Sequence, residues 1–513
     1  MLVKVSGAAV QGLEAIPITI EVNASKGFRF TLVGLPDNAV KESHERIVAA
    51  FENCGQKFPA ARITVNMAPA DIKKEGTGYD LPLAIGILAS QNKISNIAKL
   101  EKYMLVGELS LDGSLQPIRG ALPIAIKARE LEYDGLIVPE QNVREAAVVN
   151  KLKVYGMQNI KEVIDFFNET QTFNPYFVDT RNEFYQQQLK TDCDFADVKG
   201  QAHAKRALEV AAAGGHNVIL IGPPGSGKSM MARRIPSILP PLTLSESLET
   251  TQIHSVAGKL DRETSLITQR PFRSPHHSIS RAALTGGGSN PMPGEISLAH
   301  NGVLFCDELP EFNRQTLEML RQPLEDRKIN LSRSRNSITY PCSFMFVASM
   351  NPCPCGYYND PTHDCICTPG QIQRYLGKIS GPLMDRIDLQ VEIAPLSFDE
   401  LSQNRKEESS SEIRKRVVRA REIQAKRFST YPGIHCNAQM NSKLLHLYAE
   451  PQGACIELLR TAMNKFQLSA RAYDRILRVA RTIADLDESD SICTEHIAEA
   501  IGYRNLDRNS WGQ

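Results

Sequence analysis

The chain has 513 residues, 42% hydrophobic and 23% charged, enough for roughly two to four globular domains. With 59 Lys and Arg against 58 Asp and Glu, the formal net charge is +1, which excludes a polycation and leaves nucleic-acid binding to a local patch. No apolar run reaches the roughly 20 residues of a membrane helix, and Glu14 interrupts the apolar opening. The expectation is a cytoplasmic protein with no membrane partner. Of the 11 cysteines, Cys54, Cys193, Cys306, Cys342, Cys436, Cys455 and Cys493 are scattered through globular sequence, which suits reduced thiols better than a disulfide framework.

From Leu2 to about Val138, short β-type runs ("ITIEVNA", "FRFTLVG", "RITVNMA", "YMLVGELSL", "GLIVP") alternate with two helix-length stretches, which predicts a mixed α+β domain over 1–170. Residues 171–191 lose apolar periodicity and read as a linker. From 192 to 395, apolar strands alternate with helices, the pattern of a parallel sheet covered on both faces. After the charged, Ser-rich "NRKEESSS", the chain from 396 to 513 carries only helical patterns and predicts an all-α piece. The fold class is therefore α/β multidomain, without internal repeats.

Gly222, Pro223, Pro224, Gly225, Ser226, Gly227, Lys228 and Ser229 form G-x-x-x-x-G-K-S between the strand "VILI" and the helical "MMARRI". In that context the glycines let backbone N–H groups wrap phosphate oxygens, Lys228 reaches the β/γ-phosphates and Ser229 ligates Mg2+, so ATP and Mg2+ are the expected cofactors. Downstream, "GVLFCDELPEF" is an apolar strand delivering two carboxylates. Asp307 is expected to hold Mg2+ through water and Glu308 to orient the attacking water.

Other residues carry two readings each. Asn351 ends the apolar strand "SFMFVASMN" and could position water or merely cap the strand. Arg386 in "GPLMDRIDL" could stabilise transition-state charge or pair with Asp385 or Asp388. Arg471 opens a C-terminal helix, where surface arginines are frequent. Cys353, Cys355, Cys365 and Cys367 form two C-x-C pairs in a Pro/Gly/Asp-rich loop. They could close a tetrahedral Zn2+ site, with His363 as a substitute ligand, or remain four reduced thiols. His276 and His277 are adjacent and cannot easily share one ion.

The stretches "GPPGSGKSM", "RPFRSPHHSISRAALTGGG", "PGEISLAHNGVLFCDELPEF", "MNPCPCGYY", "RYLGKISGPLMDRIDL" and "LSARAYDRILRVARTIADLD" together resemble the YifB/ComM family of magnesium-chelatase-like AAA+ ATPases, over nearly the whole chain. The resemblance implies a hexameric ring of the helix-2-insert clade, with ComM proteins implicated in ATP-driven branch migration of recombination intermediates during natural transformation. It implies Asn351 as sensor 1, Arg386 as a trans-acting finger, Arg471 as sensor 2 and the 396–513 helices as a lid. It also implies a helix-2 insert over about Ser255 to Pro293 and a β-hairpin in "EDRKINLSRSRNSITYP" that faces a central pore. Arg327, Lys328, Arg333 and Arg335 of that hairpin are the expected contacts to single-stranded or branched DNA. The alternative is a solvated hairpin with incidental charge.

The N-terminal domain resembles the Lon proteolytic fold, with Gly78 where Lon carries its nucleophile and Leu122 where it carries its lysine. The nearby hydroxyls of Thr77 and Tyr79 lack a matching base, so no peptidase activity is expected and a scaffold role is. Two functions remain: a DNA motor, and a chelatase-like ring that remodels a protein partner. The basic hairpin tilts toward DNA.

Overall fold

The computed structural model describes residues 1–188, 193–288, 291–332, 337–360, 363–395 and 407–504. The chain forms two compact units, Met1–Gln187 with Leu244–Thr268, and Gln188–Thr243 with Gln269–Gln513. Among the described residues, no helix is long and apolar enough to cross a membrane.

The first unit is built on a seven-stranded mixed sheet. Strands Leu2–Gln11 and Glu14–Ser25 pair antiparallel through a tight turn at Gly12, and Arg62–Ala68 continues antiparallel. The remaining pairings, including those of Tyr103–Leu105, Gly135–Pro139 and Lys153–Met157, are parallel. In Arg62–Ala68 the period-two pattern turns Ile63, Val65 and Met67 inward. The helix Asp80–Ser90 is apolar on every side and buried along its whole length, as a helix covered on all faces must be.

The segment Leu244–Thr268 departs from the sequence expectation, which kept it within the central domain. Its helix, Leu244–Ala257, packs beside helix Ala121–Glu130, and Gln252 Nε2 donates to Leu13 O at 2.6 Å. This helix buries Ser247, Thr250, Thr251 and Ser255 alongside Ile253, His254 and Val256. Thr251 Oγ1 donates back to Ser247 O at 2.6 Å and Thr250 Oγ1 to Glu246 O at 2.7 Å, which satisfies hydroxyls that burial would otherwise penalise. The stretch read as a linker likewise contains the helix Thr180–Gln188.

The second unit holds a five-stranded parallel sheet in the order Phe272–Arg273, Val303–Cys306, Met345–Met350, Val218–Ile221, Leu389–Glu392. Strands Val218–Ile221, Val303–Cys306 and Met345–Met350 are buried throughout, the continuous apolar pattern of strands covered on both faces. Helices Ser410–Arg427, Ser442–Tyr448, Ala454–Phe466, Ala470–Leu486 and Thr494–Gly502 follow. Ile413, Val417, Leu459, Ile476 and Ile497 from these helices share one apolar core with Val218, Val347 and Leu389 of the sheet. The C-terminal helices and the sheet are thus one body.

Candidate nucleotide site

The strand order decides which side chains meet. Strand Met345–Met350 lies between the strand that feeds the P-loop and Val303–Cys306, so the carboxyl ends of three parallel strands deliver Gly222, Asn351 and Asp307 to one edge. Gly225 and Gly227 take φ of 77° and 86°, a left-handed conformation that glycine adopts without steric cost. Helix Lys228–Ile238 begins directly after this turn and presents its unpaired N–H groups to the loop.

Around this turn the predicted residues are bonded to one another. Ser229 Oγ donates to Asp307 Oδ2 at 2.7 Å, and the Ser349 hydroxyl donates to the other oxygen of Asp307. Lys228 is 8% exposed, and its amine donates to Gly222 O at 2.7 Å, Pro223 O at 2.8 Å and Asn351 Oδ1 at 3.2 Å. Burial pulls the pKa of that amine down, while Asp307 and Glu308 oppose the shift. Glu308 has φ 52°, a strained conformation for a side-chain-bearing residue. Its N–H donates to Ser349 Oγ at 3.2 Å, so one hydroxyl orients both acidic residues.

Two oxygen donors 2.7 Å apart at Ser229 and Asp307 suit Mg2+, a hard cation bound through few protein oxygens beside phosphates. A cavity of about 380 Å³ adjoins the P-loop, lined by Asp197, Val198, Gln201, Met230, Met231 and Pro395. Its wall is mixed apolar and polar, the character of a small-molecule site. No contiguous stretch of the sequence marks this pocket, and the only signal for Ser349 is a hydroxyl inside the otherwise apolar "FMFVASM".

The arginines lie elsewhere. Arg386 donates to Pro382 O at 2.7 Å and pairs with Glu325. Arg471 pairs with Asp385 at 3.1 Å, and Asp388 is occupied by Arg475. The partners considered for Arg386 in sequence, Asp385 and Asp388, are therefore taken by other arginines. None of the bonds of Arg386 or Arg471 reaches the P-loop.

The expected hairpin is formed by Lys328–Ser332 and Ser337–Pro341. Arg327 and Lys328 stand at its base, with Arg327 Nη1 donating to Ser343 Oγ at 3.0 Å. Four strand steps, about 13 Å, separate Lys328 from Ser332 at the other end of its strand. Arg333 and Arg335 lie outside the described residues. His276 and His277 pack ring against ring at 4.0 Å, and His277 meets Phe312 edge-on. His363 stacks on Tyr357 and stands apart from the cluster formed by Cys353, Cys355, Cys365 and Cys367. In the first unit Gly78 and Leu122 occupy the positions compared with Lon's dyad, and Leu122 is fully buried. The Thr77 hydroxyl donates to Glu108, and burial raises the pKa of the Tyr79 hydroxyl.

Comparison with known proteins places most of the chain in family models. Residues 194–401 fit the family described as magnesium chelatase, subunit ChlI, residues 20–142 a second ChlI family and residues 407–504 its C-terminal family. Competence protein ComM of Haemophilus influenzae is 44% identical over 503 residues, covering 98% of this chain and 97% of that protein. The chain belongs to the YifB/ComM family of magnesium-chelatase-like AAA+ proteins. YifB of Escherichia coli is 44% identical, covering 98% of this chain and 96% of its own. Lon protease 2 of Bacillus subtilis is 32% identical over 151 residues, 27% of this chain, so the Lon likeness is partial.

Proposed function

We infer that this family member is an ATP-driven DNA motor of the cytoplasm, working as a hexameric ring that migrates branched recombination intermediates. The observation that supports hydrolysis most directly is the bonded set Lys228, Asn351, Ser229, Asp307 and Ser349 at one sheet edge. Ser229 and Asp307 would hold Mg2+, which supplies positive charge against the phosphates when bound. Lys228 leaves its carbonyl partners to take the β/γ-phosphate oxygens. Glu308 accepts a proton from the attacking water, and Asn351 orients that water. Gly222, Pro223, Pro224, Gly225, Ser226 and Gly227 cradle the phosphates through their backbone.

In the ring, Arg386 of one copy would serve as the finger for the nucleotide of the next, with Arg471 beside it as sensor 2. Arg471 is largely exposed beside Asp385, whereas Arg386 is 19% exposed and would leave Glu325 to reach the neighbouring nucleotide. The hairpin that carries Arg327, Lys328, Arg333 and Arg335 supplies phosphate contacts, and the competence protein's name points the same way. The C-terminal helices act as the lid, and the four-cysteine loop is read as a structural Zn2+ site. A chelatase-like remodeller of a protein partner is the second reading, favoured by the family matches to chelatase subunits.

ATP turnover measured with and without single-stranded, duplex and four-way-junction DNA, and repeated on Glu308→Gln, tests the choice. Stimulation by single strands or junctions, lost in Glu308→Gln, is the expected result. Turnover indifferent to every DNA moves the assignment to the protein remodeller.

A further inference from the structure

The Sγ atoms of Cys353, Cys355, Cys365 and Cys367 all lie within 4.8 Å of one another. Individual separations are 3.3 Å for Cys353–Cys355, 3.6 Å for Cys355–Cys365 and 3.7 Å for Cys353–Cys365. A disulfide needs about 2.05 Å, whereas a tetrahedral zinc with bonds of about 2.3 Å spaces its sulfurs about 3.8 Å apart. Iron–sulfur clusters distribute four thiolates over more than one iron, which needs wider spacing than this set has. All four ligands come from one loop between strand Met345–Met350 and helix Pro369–Leu376. Its aliphatic side chain Ile366 is 85% exposed, so a bound metal would supply the cohesion that apolar burial does not.

The loop's position carries the inference beyond structural support. Its root is Asn351, which accepts from Lys228 two residues before the buried Cys353. Gly356, between the two cysteine pairs, has φ 90°, and a Cβ there would stand 2.6 Å from Pro224 Cδ, so the loop backbone rests on the ring of a P-loop proline. A cavity of about 720 Å³ is lined together by Glu308, Asn351, Cys355, Cys367, Arg374 and Tyr375. The cysteine cluster and the hydrolytic side chains are walls of one space.

We propose that Cys353, Cys355, Cys365 and Cys367 bind one Zn2+ and that this ion holds the loop against Pro224 and Asn351, making nucleotide binding and turnover depend on metal occupancy. The inference rests on the ATPase reading above. Its chemical class is a tetrathiolate site for a divalent ion that needs no open coordination position. Arg374, on the helix Pro369–Leu376 that follows the loop, and Lys378 just beyond it line the same cavity.

The test uses the full chain without a histidine tag, prepared reduced, with zinc counted by mass spectrometry before and after stripping with a chelator. Affinity for a fluorescent ATP analogue, ATP turnover and helix content by circular dichroism are read on each sample. One zinc per chain is expected, with a loss of about tenfold or more in affinity and turnover on stripping and recovery on adding Zn2+. The double variant Cys365→Ser, Cys367→Ser should show the same loss without recovery. Gly356→Ala keeps all four thiols and should retain zinc while losing affinity, because the methyl group displaces the loop from Pro224. That variant decides the matter if stripping unfolds the chain.

Absence of zinc in native and reconstituted protein overturns the inference. One zinc per chain with unchanged affinity and turnover after stripping, or in Gly356→Ala, leaves the metal and overturns its control of the site. Zinc-loaded protein that binds nucleotide but never turns it over counts against the ATPase reading, and affinity alone then decides the metal's role.

Discussion

Two groups of residues in the second unit carry the same family signature and reach different states of assembly. Lys228 is bonded to Asn351 at 3.2 Å and Ser229 to Asp307 at 2.7 Å, with Ser349 on the other oxygen of Asp307. Arg386 and Arg471, which the family resemblance implies as a trans-acting finger and as sensor 2, are engaged by Glu325 and Asp385. The parallel sheet explains the first group, because adjacent strand ends deliver their residues to one edge whatever else the chain does. Among the described residues, the bonds of Arg386 and Arg471 run to Pro382, Glu325 and Asp385. A second copy, offering its arginines to this cradle in a head-to-tail ring, would complete the site.

The largest expected effect removes the assembled half. Lys228→Ala takes away the cation aimed at the phosphates, so nucleotide binding should fall to background in a fluorescence titration. Retained affinity would mean that the P-loop backbone suffices. The next largest removes the other half: Arg386→Ala should leave affinity nearly unchanged and lower turnover about 10³-fold in the assembled ring. Equal losses of affinity and turnover would place Arg386 in its own chain's cradle and erase the contrast.

A smaller effect separates function from folding. Asp388 is 4% exposed and accepts from Asn217 N–H at 3.0 Å while paired with Arg475. Burial opposes its ionisation, yet Arg475, His216 and the Asn217 N–H outweigh burial and hold its carboxyl well below the usual carboxylate range. The sign follows: the folded form prefers the ionised carboxylate, so its stabilisation is present above the unfolded value of about 3.9 and is lost as pH falls below it. Asp388→Asn should destabilise by about 3 kcal/mol in urea unfolding at neutral pH, because it leaves Arg475 uncompensated. The difference from the parent should shrink below about pH 4. A constant difference across that range would assign the loss to packing.

Legibility in the sequence followed locality. The P-loop was readable because strand, glycine turn and helix are contiguous, and Asp307 because an apolar strand leads straight into it. Ser349 was not, since a lone hydroxyl in a buried strand has the same local pattern whether it bonds a carboxylate or its own backbone. The cavity beside the P-loop was hidden because Asp197, Met230 and Pro395 come from three distant segments. Helix Leu244–Ala257 was harder to place because its buried positions mix the hydroxyls of Ser247, Thr250, Thr251 and Ser255 with Ile253, His254 and Val256, which blurs the apolar stripe that periodicity detects. The hairpin was legible as a hairpin, whereas the separation of Arg327 and Lys328 from its far end depends on strand length and register.

The most direct measurement of the central claim is a mixing experiment with two inactive variants, Glu308→Gln and Arg386→Ala. If each site is completed by the neighbouring copy, a one-to-one mixture assembles about one interface in four with an intact Glu308 facing an intact Arg386. Turnover should then reappear in the mixture in proportion. Turnover that stays at the level of either variant alone would contradict the division of the site between two copies.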